Sequence, residues 1–167
     1  MTASTTTQQH ISLRADWRTS HLGFLLGEAL RRFDARVLTL MTQDAGVPLA
    51  LSNLAARDQV GAAHIHITRH LPVGGARLSD LAGAAGMTKQ AMGDLVNQCE
   101  AWNLVQRTPH PSDKRAKLIR FTNDGLAWLG AFERAALQAQ LEFQRDVGAD
   151  VATVTALGLE AYAAGNT

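Results

Sequence analysis

Apolar residues recur at helical spacing over most of this chain. From Ser20 to Gly46 they return every three or four positions, which predicts a helix of about 26 residues. A second helical pattern ends at Pro72, because proline cannot continue a helix, and Ser52 or Asn53 is expected to cap its start. The first helix is too long for a small domain to cover, so we expect it to pack against another subunit.

Two short helices joined by a glycine turn are predicted in the middle of the chain. Ser79 is the expected N-cap of the first, Gly86 ends it, and Thr88 caps the second. The second helix has one apolar face, formed by Met92, Leu95, Val96, Cys99 and Trp102. Its opposite face carries Gln90, Gly93, Asp94, Asn97 and Ala101. Such a pair of helices is typical of a helix-turn-helix.

A basic hairpin is predicted directly after these helices. The apolar period shortens to about two residues in 104–108 and 116–121, and the turn-forming residues of 109–113 lie between them. Between Val105 and Phe121 five basic residues face one acid, Asp113, whereas the whole chain has a net charge of +1. The five are Arg107, Lys114, Arg115, Lys117 and Arg120. This local excess suits contact with phosphates and insertion of an arginine into a narrow minor groove.

Two further helices are predicted at the C-terminal end. Thr122 or Asn123 begins the first, which runs to about Val147, and the second begins at Asp150. The apolar positions expected to be covered in the first are Leu129, Phe132, Ala136 and Leu141. Because a small winged helix cannot cover three long helices, both chain ends are expected to form a helical dimerisation domain.

The predicted fold is therefore mainly α with a small β-hairpin wing. A flexible N-terminal arm is expected over residues 1–15, and a winged helix-turn-helix over 51–122. The helical dimerisation region is expected to combine 16–50 with 123–167.

Composition excludes several other classes of protein. The chain of 167 residues contains one cysteine, Cys99, and no run of 18 apolar residues, so neither an internal disulfide nor a membrane span is expected. The N-terminal sequence lacks the features of a signal peptide, which predicts a cytoplasmic protein. We find no Gly-rich phosphate loop, nucleophile elbow or HExxH motif, and we expect no enzyme activity and no cofactor. Cys99 is expected to be a small buried apolar residue rather than a redox sensor.

The second predicted helix, which ends at Pro72, carries three histidines, of which only His66 and His70 lie one turn apart on the same side. A pair at this spacing could share a metal ion, but no Cys or Glu is nearby in sequence, so no metal site is expected. A metal-responsive regulator using this pair remains the alternative. The aromatic residues Trp17, Phe24, Phe33 and Trp102 are expected in the core or an interface rather than around a ligand.

The run LSDLAGAAGMTKQAMGDLV, followed by AWNLV, the wing DKRAKLIRFT and then NDG, resembles the winged helix of the MarR family of multiple-antibiotic-resistance regulators. The most specific part is the D-x-R motif with a later apolar residue and threonine: Asp113, Arg115, Phe121 and Thr122. In helix order and spacing the resemblance extends from about Trp17 to Ala164. One departure is the pair Gly93 and Asp94, where the family often has polar or basic residues.

The resemblance implies a ligand-responsive transcriptional regulator, a repressor that binds a pseudo-palindromic operator as a homodimer. A small aromatic or phenolic effector would bind between the dimerisation and DNA-binding regions, at residues that cannot be assigned. The residues expected to contact DNA are Ser79, Thr88, Lys89, Gln90, Asp94, Asn97, Asp113, Lys114, Arg115 and Lys117. Two rival interpretations are a winged-helix protein-interaction module without a DNA target and a small-molecule-binding or enzymatic domain.

Overall fold

The computed structural model describes residues 17–48, 51–52, 62–113 and 115–165. Its elements are helices α1 (Leu22–Thr42), α2 (Ala62–His70), α3 (Leu78–Ala84) and α4 (Lys89–Ala101), strands β1 (Val105–Pro109) and β2 (Lys117–Phe121), and helices α5 (Asn123–Val147) and α6 (Ala149–Ala164). The predicted mainly α fold with one small β-hairpin is confirmed. The chain divides into two compact units, residues 1–35 and 36–167. The predicted arm, the proposed cap Asn53 and the wing residue Lys114 lie outside the described residues.

Helix α1 is shorter than the apolar pattern predicted. Residues 17–20 form a separate helical turn before a bend at His21, whose Nδ1 accepts a hydrogen bond from the backbone N–H of Phe24 at 3.2 Å. At the other end the helix stops at Thr42, and the carboxylate of Asp44 accepts the N–H of Gly46 at 2.7 Å. Side chains that bond the local backbone compete with continued helix, which explains why the prediction to Gly46 was wrong.

The core of the second unit lies between the helix-turn-helix, the hairpin and α5. Its fully buried large side chains include Met41, Ile65, Ile67, Leu81, Met92, Leu104, Ile119 and Trp128. The two strands pair antiparallel, with Arg107 opposite Ile119. Outside the strands, Ala76 forms an isolated antiparallel bridge to Ile119. This bridge ties the segment before α3 to the wing.

The start of α3 corrects the predicted cap. The N-cap position is Arg77, and Ser79 lies in the first helical turn, where its hydroxyl donates to Asp80 at 3.2 Å. The bridge between Ala76 and Ile119 holds the chain extended up to Arg77, so the helix begins before Ser79 can cap it. The other predicted signals at this turn are confirmed, since Gly86 has a φ of 63° and Thr88 caps α4.

A threonine at the end of the wing starts α5. The hydroxyl of Thr122 accepts the N–H of Gly125 at 3.0 Å and donates to the carbonyl of Asn103. Asn103 adopts a left-handed backbone with a φ of 57° and donates from its side chain to Asp124 at 2.8 Å. The threonine of the family-like motif is therefore a capping residue that joins the wing to α5.

Within one chain, α5 buries a stripe next to the apolar positions for which cover was predicted. The side chains that the structure buries are Trp128, Ala131, Ala135 and Ala139, whereas Leu141 is exposed and Leu129, Phe132 and Ala136 are half-buried. Small alanines let α5 lie close to its neighbours, and the large Trp128 fixes the rotation of the helix. The larger apolar residues are left at the edge of the covered stripe.

Helix α6 has no covered face within one chain. All of its residues, 149–164, are exposed or half-exposed. The exposed apolar side chains here are Val151, Val154, Leu157, Leu159 and Tyr162. The predicted stop at Gly148 is confirmed by its φ of 91°. None of the described helices is long and apolar enough to cross a membrane.

Candidate nucleic-acid interface

Helix α4 presents a polar face because its apolar face is fixed in the core. Thr88 Oγ1 accepts the N–H of Ala91 at 3.2 Å and so sets where the helix begins. Met92, Leu95, Val96 and Cys99 are buried, and Lys89, Gln90, Asp94 and Asn97 are exposed. Gly93 is half-buried, and a Cβ placed there would lie 3.7 Å from Leu78 of α3. Gly93 therefore faces the neighbouring helix rather than fully outward as predicted.

The wing tip is held by the aspartate of the D-x-R motif. One carboxylate oxygen of Asp113 accepts the N–H of Arg115 at 3.1 Å, and the other lies 3.4 Å from the guanidinium of Arg77. Both oxygens are thus engaged within the chain, and the DNA contact predicted for Asp113 stays untested. The side chains of Arg115 and Lys117 are exposed on the same hairpin. Asp113 shapes the turn that displays them.

The wing is less basic in effect than its residue count suggested. Arg107 donates from its side chain to the carboxylate of Glu100, and its backbone N–H also donates to Glu100 at 3.1 Å. The guanidinium of Arg107 donates in addition to Oδ1 of Asn97 at 2.7 Å. One of the five cations counted in the sequence is therefore neutralised by an acid of α4, which lies outside the counted segment.

A cleft of about 280 Å³ lies where the start of α3, the start of α4 and the wing meet. Its lining residues are Arg77, Leu78, Ser79, Lys89, Arg107, Ala116, Lys117 and Ile119. The structure thus brings together three residues predicted from separate motifs, Ser79, Lys89 and Lys117. Gln90, Asp94, Asn97 and Arg115 do not line it.

Sequence reasoning missed Arg77, a basic residue of this cleft. Its position two residues before the predicted cap Ser79 was a usable signal. Lys89 and Lys117, which are exposed on this concave surface, attract phosphate groups, whereas Arg77 and Arg107 are paired with Asp113 and Glu100.

Cys99 is fully buried on the inner side of α4. Burial raises the pKa of its thiol to about 12, so the thiol stays protonated at neutral pH. The predicted burial is confirmed, and the environment does not generate the thiolate that a redox sensor needs.

The histidines of α2 have separate environments. The buried His64 lies 2.8 Å from Oε1 of Gln98 through its Nε2 and packs on Trp102 with ring centroids 4.6 Å apart. His66 and His70 stack with centroids 6.0 Å apart. Burial, then the neighbouring His66 and Arg69, lower the pKa of His70. Within the ranges that the structure describes, no group of three or more metal-binding side chains occurs.

A helix-turn-helix with an exposed second helix, flanked by a basic antiparallel hairpin, defines a winged-helix protein. Residues 66–116 match the model of the MarR family. A search of curated proteins found no significant match.

Several solved structures share the fold over most of the chain. The repressor CouR bound to a 23-mer DNA duplex has 20% identity and a TM-score of 0.65, covering 88% of this chain and 95% of CouR. Apo MarR from E. coli has 19% identity and a TM-score of 0.61, covering 84% and 96%. PcaV from Streptomyces coelicolor in complex with its natural ligand has 16% identity and a TM-score of 0.61, covering 89% and 96%. The match to the MarR family model therefore covers the winged-helix segment 66–116, where the sequence resemblance lies, and the chain shares its fold with these solved structures.

Proposed function

We propose that the protein is a sequence-specific transcriptional repressor that binds a pseudo-palindromic operator as a homodimer. One observation carries this proposal: the basic cleft and the exposed polar face of α4 lie side by side on one surface. Cations position a protein on the DNA backbone and neutral polar side chains read base edges. A protein-interaction module has no need for this combination.

Each subunit places α4 in the major groove and the wing beside it. Lys89 and Lys117 contact phosphates from the two sides of the cleft, and the N-terminus of α4 adds its dipole. Gln90 and Asn97 lie on the exposed face that would meet the bases. Arg115 projects from the wing tip and enters the flanking minor groove.

A second copy of the chain covers the apolar residues that one copy leaves exposed. Helix α6 supplies most of them, and Leu22, Leu25 and Leu30 of α1 are also exposed. Apolar surface of this extent is unfavourable in water, and a two-fold dimer would bury it. Two winged helices in such a dimer would meet half-sites about one helical turn apart, roughly 34 Å.

The proposed regulator works in the cytoplasm, where DNA is accessible, and acts by binding rather than by catalysis. A small aromatic or phenolic effector changes the separation of the two winged helices and so the operator affinity. The ligand complex of PcaV, which has the same fold, supports a search for such an effector.

Selection of bound sequences from a pool of random duplexes tests the proposal, with sedimentation of the protein alone and of the complex. The expected result is an enriched sequence with two inverted half-sites, bound by one dimer. Failure to enrich any sequence, with a protein that is folded, would overturn the DNA-binding function and favour a protein-interaction module. A folded monomer at micromolar concentration would overturn the dimer.

A further inference from the structure

We infer that Arg107 is a positioning residue that fixes the side-chain amide of Asn97, and that this contact determines the base preferred at one position of each half-site. The inference rests on the proposed DNA-binding function and deepens it. It gives an arginine of the basic wing a role in specificity rather than in phosphate contact.

The geometry joins the wing to the exposed face of α4 through three side chains. Glu100 holds Arg107 at two points, the backbone N–H at 3.1 Å and the guanidinium. The same guanidinium donates through Nη2 to Oδ1 of Asn97 at 2.7 Å. Arg107 is only about one quarter exposed, with 25% of its side-chain surface accessible, whereas Asn97 is exposed. Arg107 is thus held back from solvent while Asn97 remains on the surface.

The contact also fixes which way the amide points. A guanidinium has donors and no acceptor, so only the oxygen of Asn97 can face it. The amide nitrogen of Asn97 is then directed away from Arg107. An unrestrained asparagine could instead rotate and present either its oxygen or its nitrogen to a base.

The chemical consequence is a preference for bases with acceptors in the major groove. Guanine offers N7 and O6, and thymine offers O4. Adenine offers N7 beside an amino donor that needs the amide oxygen as its acceptor, and the cytosine edge offers only an amino donor. Because the amide oxygen of Asn97 is already bonded to a cation, its nitrogen is the group most available to the DNA. Guanine or thymine is therefore expected at the base that Asn97 meets.

Lysine cannot replace Arg107 in this role. Its ammonium retains the charge, but it is a point donor without the planar fork that serves Glu100 and Asn97 together. The variant Arg107→Lys therefore keeps the positive charge at this position but should not hold the orientation of the Asn97 amide. The matched control is Lys117→Ala, which removes a wing cation that lines the same cleft.

The experiment measures the affinity of the full-length protein for the selected operator and for all of its single-base variants, at several salt concentrations. Asn97→Ala should abolish the preference at one base pair of each half-site, by about tenfold. Arg107→Lys should abolish the same preference and leave the salt dependence unchanged. The double variant Asn97→Ala/Arg107→Lys should lose no more specificity than either single variant, because the two substitutions disrupt the same contact. Lys117→Ala should reduce the salt dependence and keep the preference.

Asn97→Asp provides a second arm if Arg107→Lys does not fold. A carboxylate still accepts from Arg107 but has no N–H to donate, so this variant should also lose the preference. The inference is overturned if Arg107→Lys keeps the preference, if it weakens binding equally for every sequence, or if neither Asn97 variant changes any base pair. By contrast, a wild-type protein that binds no DNA sequence selectively would contradict the proposed function itself.

Discussion

The indole N–H of Trp128 donates to the hydroxyl oxygen of Thr68 at 3.1 Å, and both side chains are buried. Trp128 lies on α5 and Thr68 on α2, sixty residues apart in sequence. This bond sets the rotation of α5 against the helix that precedes the helix-turn-helix. It therefore links the long C-terminal helix directly to the winged-helix core.

Replacing Thr68 by valine should destabilise the protein. Valine keeps the shape of threonine but cannot accept a hydrogen bond, so the buried indole N–H is left without a partner at a cost of about 1 to 3 kcal/mol. Urea unfolding at fixed protein concentration measures the change. Trp128→Phe loses both the bond and some apolar contact. In that variant, Thr68→Val should lower the free energy of unfolding by less than it does in the wild type, because the bond is already absent. Equal costs in the two backgrounds would show that the bond does not contribute.

Gly125 should not tolerate alanine, although it lies in a helix. A Cβ at this position would overlap the backbone carbonyl of Leu104, which accepts from Thr122 where the wing meets α5. Gly125→Ala should cost about 1 to 3 kcal/mol or more through the forced backbone shift. Gly83 is the matched control, because nothing lies within 4 Å of a Cβ there. Gly83→Ala should stabilise the protein by about 0.5 to 1 kcal/mol. Equal effects in thermal unfolding would refute the overlap.

These contacts show which parts of the fold were predictable from sequence and which were not. Local signals such as Thr88, Gly86 and Thr122 act within a few residues of themselves, and all three were confirmed. The bond of Trp128 to Thr68 joins residues far apart in sequence, which spacing alone cannot reveal.

The candidate site shows the same division. Lys89 and Lys117 were predicted from a helix start and from a charge cluster, and the fold brings them to one cleft. The pairing of Arg107 with Glu100 and Asn97 was missed because it joins a helix to a strand across a turn. The charge count covered only Val105 to Phe121, so it did not include Glu100, which lies on α4 before the wing.

The ion pair between Glu142 and Arg36 should make stability depend on acid pH. Arg36 donates to both oxygens of Glu142, at 2.6 and 2.8 Å. This contact, with help from Gln138, lowers the pKa of Glu142 from 4.5 to about 2. Because the folded state holds the carboxylate charged, the contribution is present above pH 4.5 and is lost as pH falls towards 2.

Glu142→Gln isolates this effect when compared with the wild type in urea unfolding across the acid range. The wild type should be the more stable protein above pH 4.5, and the difference should shrink as the pH approaches 2. Titration of the Glu142 carboxyl by NMR should give the lowered pKa directly. An ordinary pKa, or a stability difference that does not change with pH, would show that the pair is not formed in solution.

Cys99 should be unreactive in the native protein. Its thiol is fully buried, and burial raises its pKa to about 12. A reagent therefore cannot reach the sulfur, and the reactive thiolate is not formed at neutral pH. A thiol-specific reagent at neutral pH should label it at the rate at which the protein unfolds. In denaturant the same thiol should react at once. Rapid labelling of the native protein would contradict the burial and reopen a redox role.

Salt-dependent DNA binding by the wild type and two wing variants tests the central claim most directly. Binding of the selected operator and of a random duplex is titrated at several salt concentrations. Lys117→Ala should weaken binding to both duplexes about equally and reduce the salt slope by about one unit. Arg115→Ala should cost on the order of 2 kcal/mol, most of all on operators with A·T-rich flanks. If both variants retain the affinity and the salt slope of the wild type, the wing does not contact DNA and the proposed regulator is contradicted.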